Sequence, residues 1–455
     1  MADRPTSGDG DLAALARSLS EQARRGEQVE VYAARSVHTD VRAYDGEVES
    51  VSQAASAGVG VRVVIGGRQG FASAGSLDAV MVADTLADAR ENAAFATPDE
   101  HGGLPAPDGV EGASLDLWDE SVLVTPVEAK IELALALERR VRGAGSRIRQ
   151  VSSADYGDVA WESAVASSTG VLSASRRTSC TLAVSAVAGS GADSHTGVGI
   201  SAGRGVAHLD LEAAADDAVL RATRLLGAGK GRSTRCTVVL DPRVTATLLG
   251  VLGGALSGES VTKNRSMLAD RVGERVAATS VTLADDPTDQ RAFTAARFDA
   301  EGLACRRNEL VVGGVLRGFV HDTVSARRAA TVSTGSAVRG GYGTTPVAGC
   351  RALSLAPGTL SPEEVLESVG DGLYVQSVTG VHSGVSSVSG DFSVGAEGAW
   401  IHGGALAAPV REMTVASTLQ RMLHDIVFVG ADVRWLPGPA TGLTLAIADM
   451  AVSGQ

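Results

Sequence analysis

Lysine is nearly missing from this chain: Lys130, Lys230 and Lys263 are the only three among 40 basic residues. Asparagine is as scarce, with only Asn92, Asn264 and Asn308. Both shortages read as high-GC codon usage, not as chemistry. Aromatic residues make up 4% of the chain, so the core must come from Val, Leu, Ile and Ala. The four cysteines, Cys180, Cys236, Cys305 and Cys350, lie far apart without a CxxC pair. That spacing argues against a zinc ribbon or a disulfide scaffold and fits a reducing cytoplasm. No apolar run approaches the roughly 18 residues of a spanning helix. The first twenty residues carry Asp3, Asp9 and Asp11 and have no basic start before an apolar stretch, so no secretory signal is expected. Positive charge is also short. A net charge of -13 excludes a nucleic-acid footprint and disfavours an anionic membrane surface.

What remains is a globular composition, 44% hydrophobic and 20% charged, with 55 glycines in 455 residues. A prior of roughly 150 residues per domain suggests about three domains. Residues 1–10 read as a polar, disordered start. Residues 11–97 read as an N-terminal α+β domain. It opens with a helix that Asp11 caps and that runs to Arg25. Val37, Thr39 and Val41 then alternate as a strand. Residues 58–65 and 70–73 pair across Gly66-Gly67, and residues 77–95 form an Ala-rich helix. Residues 98–124 read as a linker and 125–229 as a second α+β region. Thr125-Pro126-Val127-Glu128 has the form of a capping box for a helix to Arg142. Strands over 147–207 and a helix over 210–226 follow. Residues 227–234 look like a boundary, and 234–455 reads as a C-terminal β-rich domain, a barrel or layered antiparallel sheets. Within it a helix starts at Asp241-Pro242 and runs to about Leu256, and others span 362–369 and 419–427. The fold class is α+β, with α/β sandwich-like regions in the N-terminal part. No repeat of fixed period is present.

Several motifs fail on context. Gly229-Lys230 is followed by Gly231 and lacks the earlier glycine of a phosphate loop. Residues 199–203 match a nucleophile elbow around Ser201, but no helix follows at once. Ser260 and Lys263 match SxxK, yet no lysine comes later to complete a serine acylase. The eight histidines, at 38, 101, 195, 208, 321, 382, 402 and 424, never fall three to five apart on a helix, so no helical zinc pair is expected. Asp285-Asp286 and Glu363-Glu364 read as solvated turns or helix starts.

A set of short motifs recurs in order from about residue 30 to 453. They are Gly60-Val61-Arg62-Val63, Gly70-Phe71-Ala72-Ser73, Asp241-Pro242, Ser257-Gly258 and Lys263-Asn264-Arg265-Ser266. Asp285-Asp286-Pro287, Phe298-Asp299-Ala300-Glu301-Gly302 and Ser333-Thr334-Gly335-Ser336-Ala337 follow. The last are Ala356-Pro357-Gly358, Gly390-Asp391-Phe392-Ser393 and 409–416, PVREMTVA. Together they resemble the TldD/PmbA family of two-subunit bacterial metallopeptidases. In that family the TldD kind carries HExxxH on the helix after Asp-Pro, plus a later cysteine, and binds zinc; the glutamate acts on the attacking water. Here residues 247–258 hold neither His nor Glu, and no cysteine follows Cys350. Leu249 and Gly254 cannot ligate zinc. The chain therefore resembles the TldE (PmbA) kind, the subunit without the motif. It departs from the family at Ala352, His402 and Thr418, where asparagine is common.

The resemblance implies a heterodimer with a TldD-like, zinc-bearing partner, with no cofactor on this chain. Such a subunit would shape a shared cavity for peptides or small peptide-like conjugates, natural-product tailoring included. No catalytic or metal residue is expected on this chain. Its Gly-rich stretches offer bare backbone to a substrate, which singles out Ser333, Thr334, Gly335 and Arg339, then Asp391, Phe392 and Ser393. Arg339 suits a substrate carboxylate, or a salt bridge inside the fold. The other six equally suit turns that brace a sheet. The competing reading is a metal-free homodimer that binds a peptide or ligand, as a chaperone would, without catalysis.

Overall fold

A computed structural model describes residues 9–191 and 193–454. Residues 1–8 of the expected disordered start lie outside it. Helix α1, Asp9–Ser20, buries Leu12, Ala16 and Leu19 at helical spacing. It ends short of Arg25, where the ladder gives way to two tight turns, the Gln22 N–H on the Leu19 carbonyl and the Ala23 N–H on the Ser20 carbonyl. Strands β1 (Glu27–Tyr44), β2 (Glu47–Ile65) and β3 (Arg68–Ala74) form an antiparallel meander. Helix α2, Ala79–Phe95, then packs on it, capped by the Asp78 carboxylate.

Residues 98–124, expected as a linker, pack onto the fold. Leu104, Leu117 and Val122 are buried, and the segment ends in a helical turn, Ser121–Val124. Helix α3, Val127–Arg142, follows directly. The capping box at Thr125 does not form. The Thr125 N–H already donates to the Ser121 carbonyl at 3.0 Å, so Glu128 has no free donor to reach back to.

Strands β4 (Ile148–Ser167), β5 (Leu172–Ser190) and β6 (Asp193–Gly203) complete a six-stranded sheet of order β3-β2-β1-β4-β5-β6. The two N-terminal α+β regions thus share one sheet, joined where β1 pairs with β4. Helix α4, Leu211–Arg224, is capped by Asp210. Side-chain alternation sorts the two faces of the sheet. Val29, Val31 and Ala33 of β1 face α1 and α2, while Val41 and Ala43 join the α3–α4 core further along the same face. Glu30, Tyr32 and Ala34 point the other way, toward the C-terminal part.

Residues 229–230, read as part of a boundary, form a short strand along the edge of the C-terminal sheet. That sheet closes on itself. Strands β7 (Thr234–Leu240), β8 (Gly372–Thr379), β9 (Asp391–His402), β10 (Ala405–Thr418) and β11 (Leu445–Ser453) each pair with the next, and β11 returns to β7. The result is the five-stranded barrel end of the expected α+β architecture, and it leaves few open edges. Helix α5, Pro242–Ala255, runs from β7 with proline in its first turn and Asp241 as cap. The helix Pro362–Val369 carries a full capping box, Ser361 with Glu364. Leu419–His424 stops three residues before the expected end, because Ile426–Val429 is a strand on the edge of β11. No helix among the described residues is long and apolar enough to cross a membrane.

Candidate functional site

Helix α5 occupies the place where the resemblance puts a metal motif. Its inner face, Val244, Leu248, Leu249 and Leu252, belongs to the barrel core. Its outer face is Thr247, Gly250 and Gly254, all exposed. A Cβ on Gly253 would meet the Cys350 Cβ at 3.4 Å, so this glycine sets a close helix–loop approach. None of these positions offers a zinc donor. Among the described residues, no three His, Cys, Asp or Glu side chains converge as a metal ion requires.

Two concavities flank the C-terminal part. The first is an open groove of about 880 Å³, lined among others by Asn264, Arg307, Arg317, His321 and Thr334. His321 is its most constrained wall. Its ring lies where a Cβ on Gly258 would stand, 2.1 Å from Nδ1. Nδ1 is 3.2 Å from Ser325 Oγ, and burial pushes the imidazole below its ordinary pKa.

The turn at 333–336 locks onto the His321 backbone. The His321 N–H donates to Thr334 Oγ1 at 2.7 Å, and the Thr334 N–H donates to the His321 carbonyl at 3.1 Å. Ser333 Oγ donates to the same carbonyl at 3.3 Å and accepts from the Gly335 N–H at 3.2 Å. Gly335 has φ 68°, and a Cβ there would stand 2.2 Å from the Ala304 carbonyl oxygen, so only glycine fits. Ser333, Thr334 and Gly335 therefore brace this wall, and Thr334 also faces the groove.

The second is a cavity of about 320 Å³ between the sheet and residues 295–300. Tyr32, Trp161, Arg176 and Arg177 line its sheet side, and Arg297, Arg339 and Arg351 its C-terminal side. Arg177 stacks on Trp161 with its guanidinium carbon 4.9 Å from the ring centre, and Arg339 on Tyr32 at 4.3 Å. Arg339 is bound inside the fold, its Nη2 2.8 Å from Glu30 Oε1 and donating also to the Ala300 carbonyl. Glu30 is shared with Arg62, which reaches Glu301 at 3.1 Å. Together Glu30, Arg62, Glu301 and Arg339 make a buried charge network across the seam between the sheet and the C-terminal part. Burial outweighs its partners at Glu301 and holds that carboxyl above its usual range, and burial with the Glu301 charge does the same to Asp299.

Asp391, Phe392 and Ser393 lie in neither concavity. Asp391 is exposed and accepts from Ser389 Oγ, while Phe392 is buried in the barrel core. The seven residues singled out from the sequence are thus brought to three places. The arginine and tryptophan lining was missed. One signal for it is Arg176-Arg177, two adjacent charges inside an otherwise small-residue strand, since strand alternation sends one of them to the covered face.

Asp285, expected in a solvated turn or helix start, is fully buried. Its Oδ1 accepts the Arg351 and Ala352 N–H groups at 2.8 and 2.6 Å, which fixes the start of the neighbouring strand. Glu363 and Glu364 do mark a helix start. Ser201 lies within β6 and accepts the Asp210 N–H at 2.8 Å, and Lys263 pairs with Glu259.

Comparison with known proteins agrees along most of the chain. Residues 29–96 match domain 1 of the PmbA/TldA metallopeptidases, 120–226 the central domain and 233–454 the C-terminal domain. Metalloprotease PmbA of Escherichia coli O157:H7 is 28% identical over 445 residues, covering 97% of this chain and 96% of that protein. The PmbA homologue of Haemophilus influenzae is 25% identical, covering 90% and 88%. The crystal structure of TldE from Thermococcus kodakarensis superposes with a TM-score of 0.88 at 21% identity, over 98% of this chain and 100% of that one. Fold, domain order and sequence agree, and the chain belongs to the PmbA/TldD metallopeptidase family.

Proposed function

We propose that this chain is the TldE-like, metal-free subunit of a two-subunit peptidase or amidase. A TldD-like partner brings the zinc, and this chain shapes the shared cavity in which peptides or small peptide-like conjugates, natural products included, are cleaved. The observation that carries the reading is α5. The helix that bears HExxxH in the TldD kind here presents Thr247, Gly250 and Gly254, which can pack against a partner but cannot bind a metal. Thr334 and the His321 wall are the residues of this chain that we place toward substrate. We place the complex in the cytoplasm. The four cysteines are unpaired, and burial pushes the Cys180 and Cys305 thiols up to about 12, as inert core residues.

The test is reconstitution. Neither chain alone should cleave a peptide library, and the mixture with a TldD-like protein should cleave it in a zinc-dependent way. Cleavage by the partner alone at the full rate would overturn the proposal. A homodimeric ligand-binding module is the second reading. The arginine-lined cavity favours it, because that cavity is complete within one chain.

A further inference from the structure

The cavity between the six-stranded sheet and residues 295–300 holds more positive charge than the fold uses. Arg339 is neutralised by Glu30. Arg177 is not neutralised, and Arg351 feels the charge of Asp285 only at longer range, with no carboxylate among the described residues in contact with its guanidinium. Among the described residues Arg177 stacks on the Trp161 ring and pairs with no carboxylate. The Arg351 guanidinium has one long contact, 3.4 Å to the Ala337 carbonyl. The two cations are close enough to depress the Arg177 pKa, which burial and Arg351 together bring down to about 10. Two half-buried like charges with no carboxylate in contact with either are costly, and a bound anion relieves them. Two carboxylates also line the space, and neither serves as a counter-ion. Asp299 accepts three backbone N–H groups, from Glu301, Leu303 and Ala337, and Asp116 is exposed at the rim.

We propose that this cavity is a binding site for an organic carboxylate of amino-acid to dipeptide size, held by Arg177 and Arg351 against the Trp161 and Tyr32 rings. The volume of about 320 Å³ falls at the small end of ligand pockets. A planar carboxylate matches a guanidinium fork in two-point geometry. Two guanidinium forks would also take a phosphate, so what favours an organic acid over free phosphate is the aromatic lining. The aromatic walls suit a flat or apolar body behind the carboxylate. The site goes beyond the subunit reading and does not depend on it, because every lining residue comes from this chain.

The test uses the full chain without a partner. Titration calorimetry is run with N-acetylphenylalanine, its C-terminal amide and inorganic phosphate, on wild type, Arg177→Met and Arg351→Gln. The acid should bind saturably, at least about tenfold more tightly than the amide, as loss of a charge-assisted pair requires. Each variant should lose about tenfold or more for the acid. Arg177→Met should also melt no lower than wild type without ligand, since it removes an uncompensated charge, and this shows that lost binding is not lost folding. Equal binding of acid and amide overturns the proposal. So does binding of phosphate alone, unchanged affinity in both variants, or no binding of any probe up to about 10 mM.

Discussion

Arg221 Nη2 lies 2.9 Å from both carboxylate oxygens of Asp241, and both side chains are buried. The contact joins α4, on the six-stranded sheet, to the cap of α5, on the barrel. Tyr374 donates its hydroxyl to the same carboxylate at 2.7 Å. Asp241 also accepts the Arg243 N–H that starts the helix. Removing the guanidinium strands a buried carboxylate. Arg221→Met should therefore cost about 3–5 kcal/mol in urea unfolding. Arg221→Met with Asp241→Asn should recover part of that loss. A single variant as stable as wild type would show that the pair does not hold α4 to α5.

Gly258 is the second point of close packing, beneath the His321 ring. Gly258→Ala places a methyl on a ring that Ser325 and the Thr334 turn hold in place. The expected cost is about 1–3 kcal/mol by denaturant midpoint. Gly250→Ala is the control. Nothing stands within 4 Å of its Cβ position, and alanine favours a helix, so stability should stay level or rise. Equal behaviour of the two variants would contradict the packing described for the groove.

Asp285 gives a pH dependence of definite sign. Burial raises its carboxyl to about 6, against the two N–H bonds that lower it. An unfolded aspartate titrates near 3.9, so between roughly pH 4 and 6 the native chain holds a proton that the unfolded chain has released. The stabilisation is complete below that window and is lost as pH rises through it. Other carboxylates, such as Glu27 and Asp99, are lowered and act in the opposite sense. The readout is therefore the difference between wild type and Asp285→Asn. That difference should move by about 2 kcal/mol in favour of the variant from pH 4 to pH 7. A difference independent of pH would show that Asp285 ionises normally in the fold.

The sequence made local events legible and distant ones not. Asp78, Asp210, Asp241 and Ser361 each cap a helix through an N–H two or three residues on, and these starts are readable from adjacent residues alone. The pairing of β1 with β4 was not readable, because Val37 meets Ala160 across a long intervening segment. The same distance hid the cavity. Arg177 on β5 meets Arg351 only when the sheet and the C-terminal part close on each other. Thr125 failed as a cap for a local reason, since the preceding turn had already taken its N–H. Asp285 failed because a charged dipeptide looks solvated until strand alternation buries one member.

In the proposed complex this chain supplies shape and its partner supplies metal. The most direct test is size-exclusion chromatography with zinc analysis, on this chain alone and after co-expression with a TldD-like protein. The expected result is a metal-free chain alone and a one-to-one complex with about one zinc, bound through the partner. A stable homodimer that ignores the partner, or stoichiometric zinc on this chain alone, would contradict it.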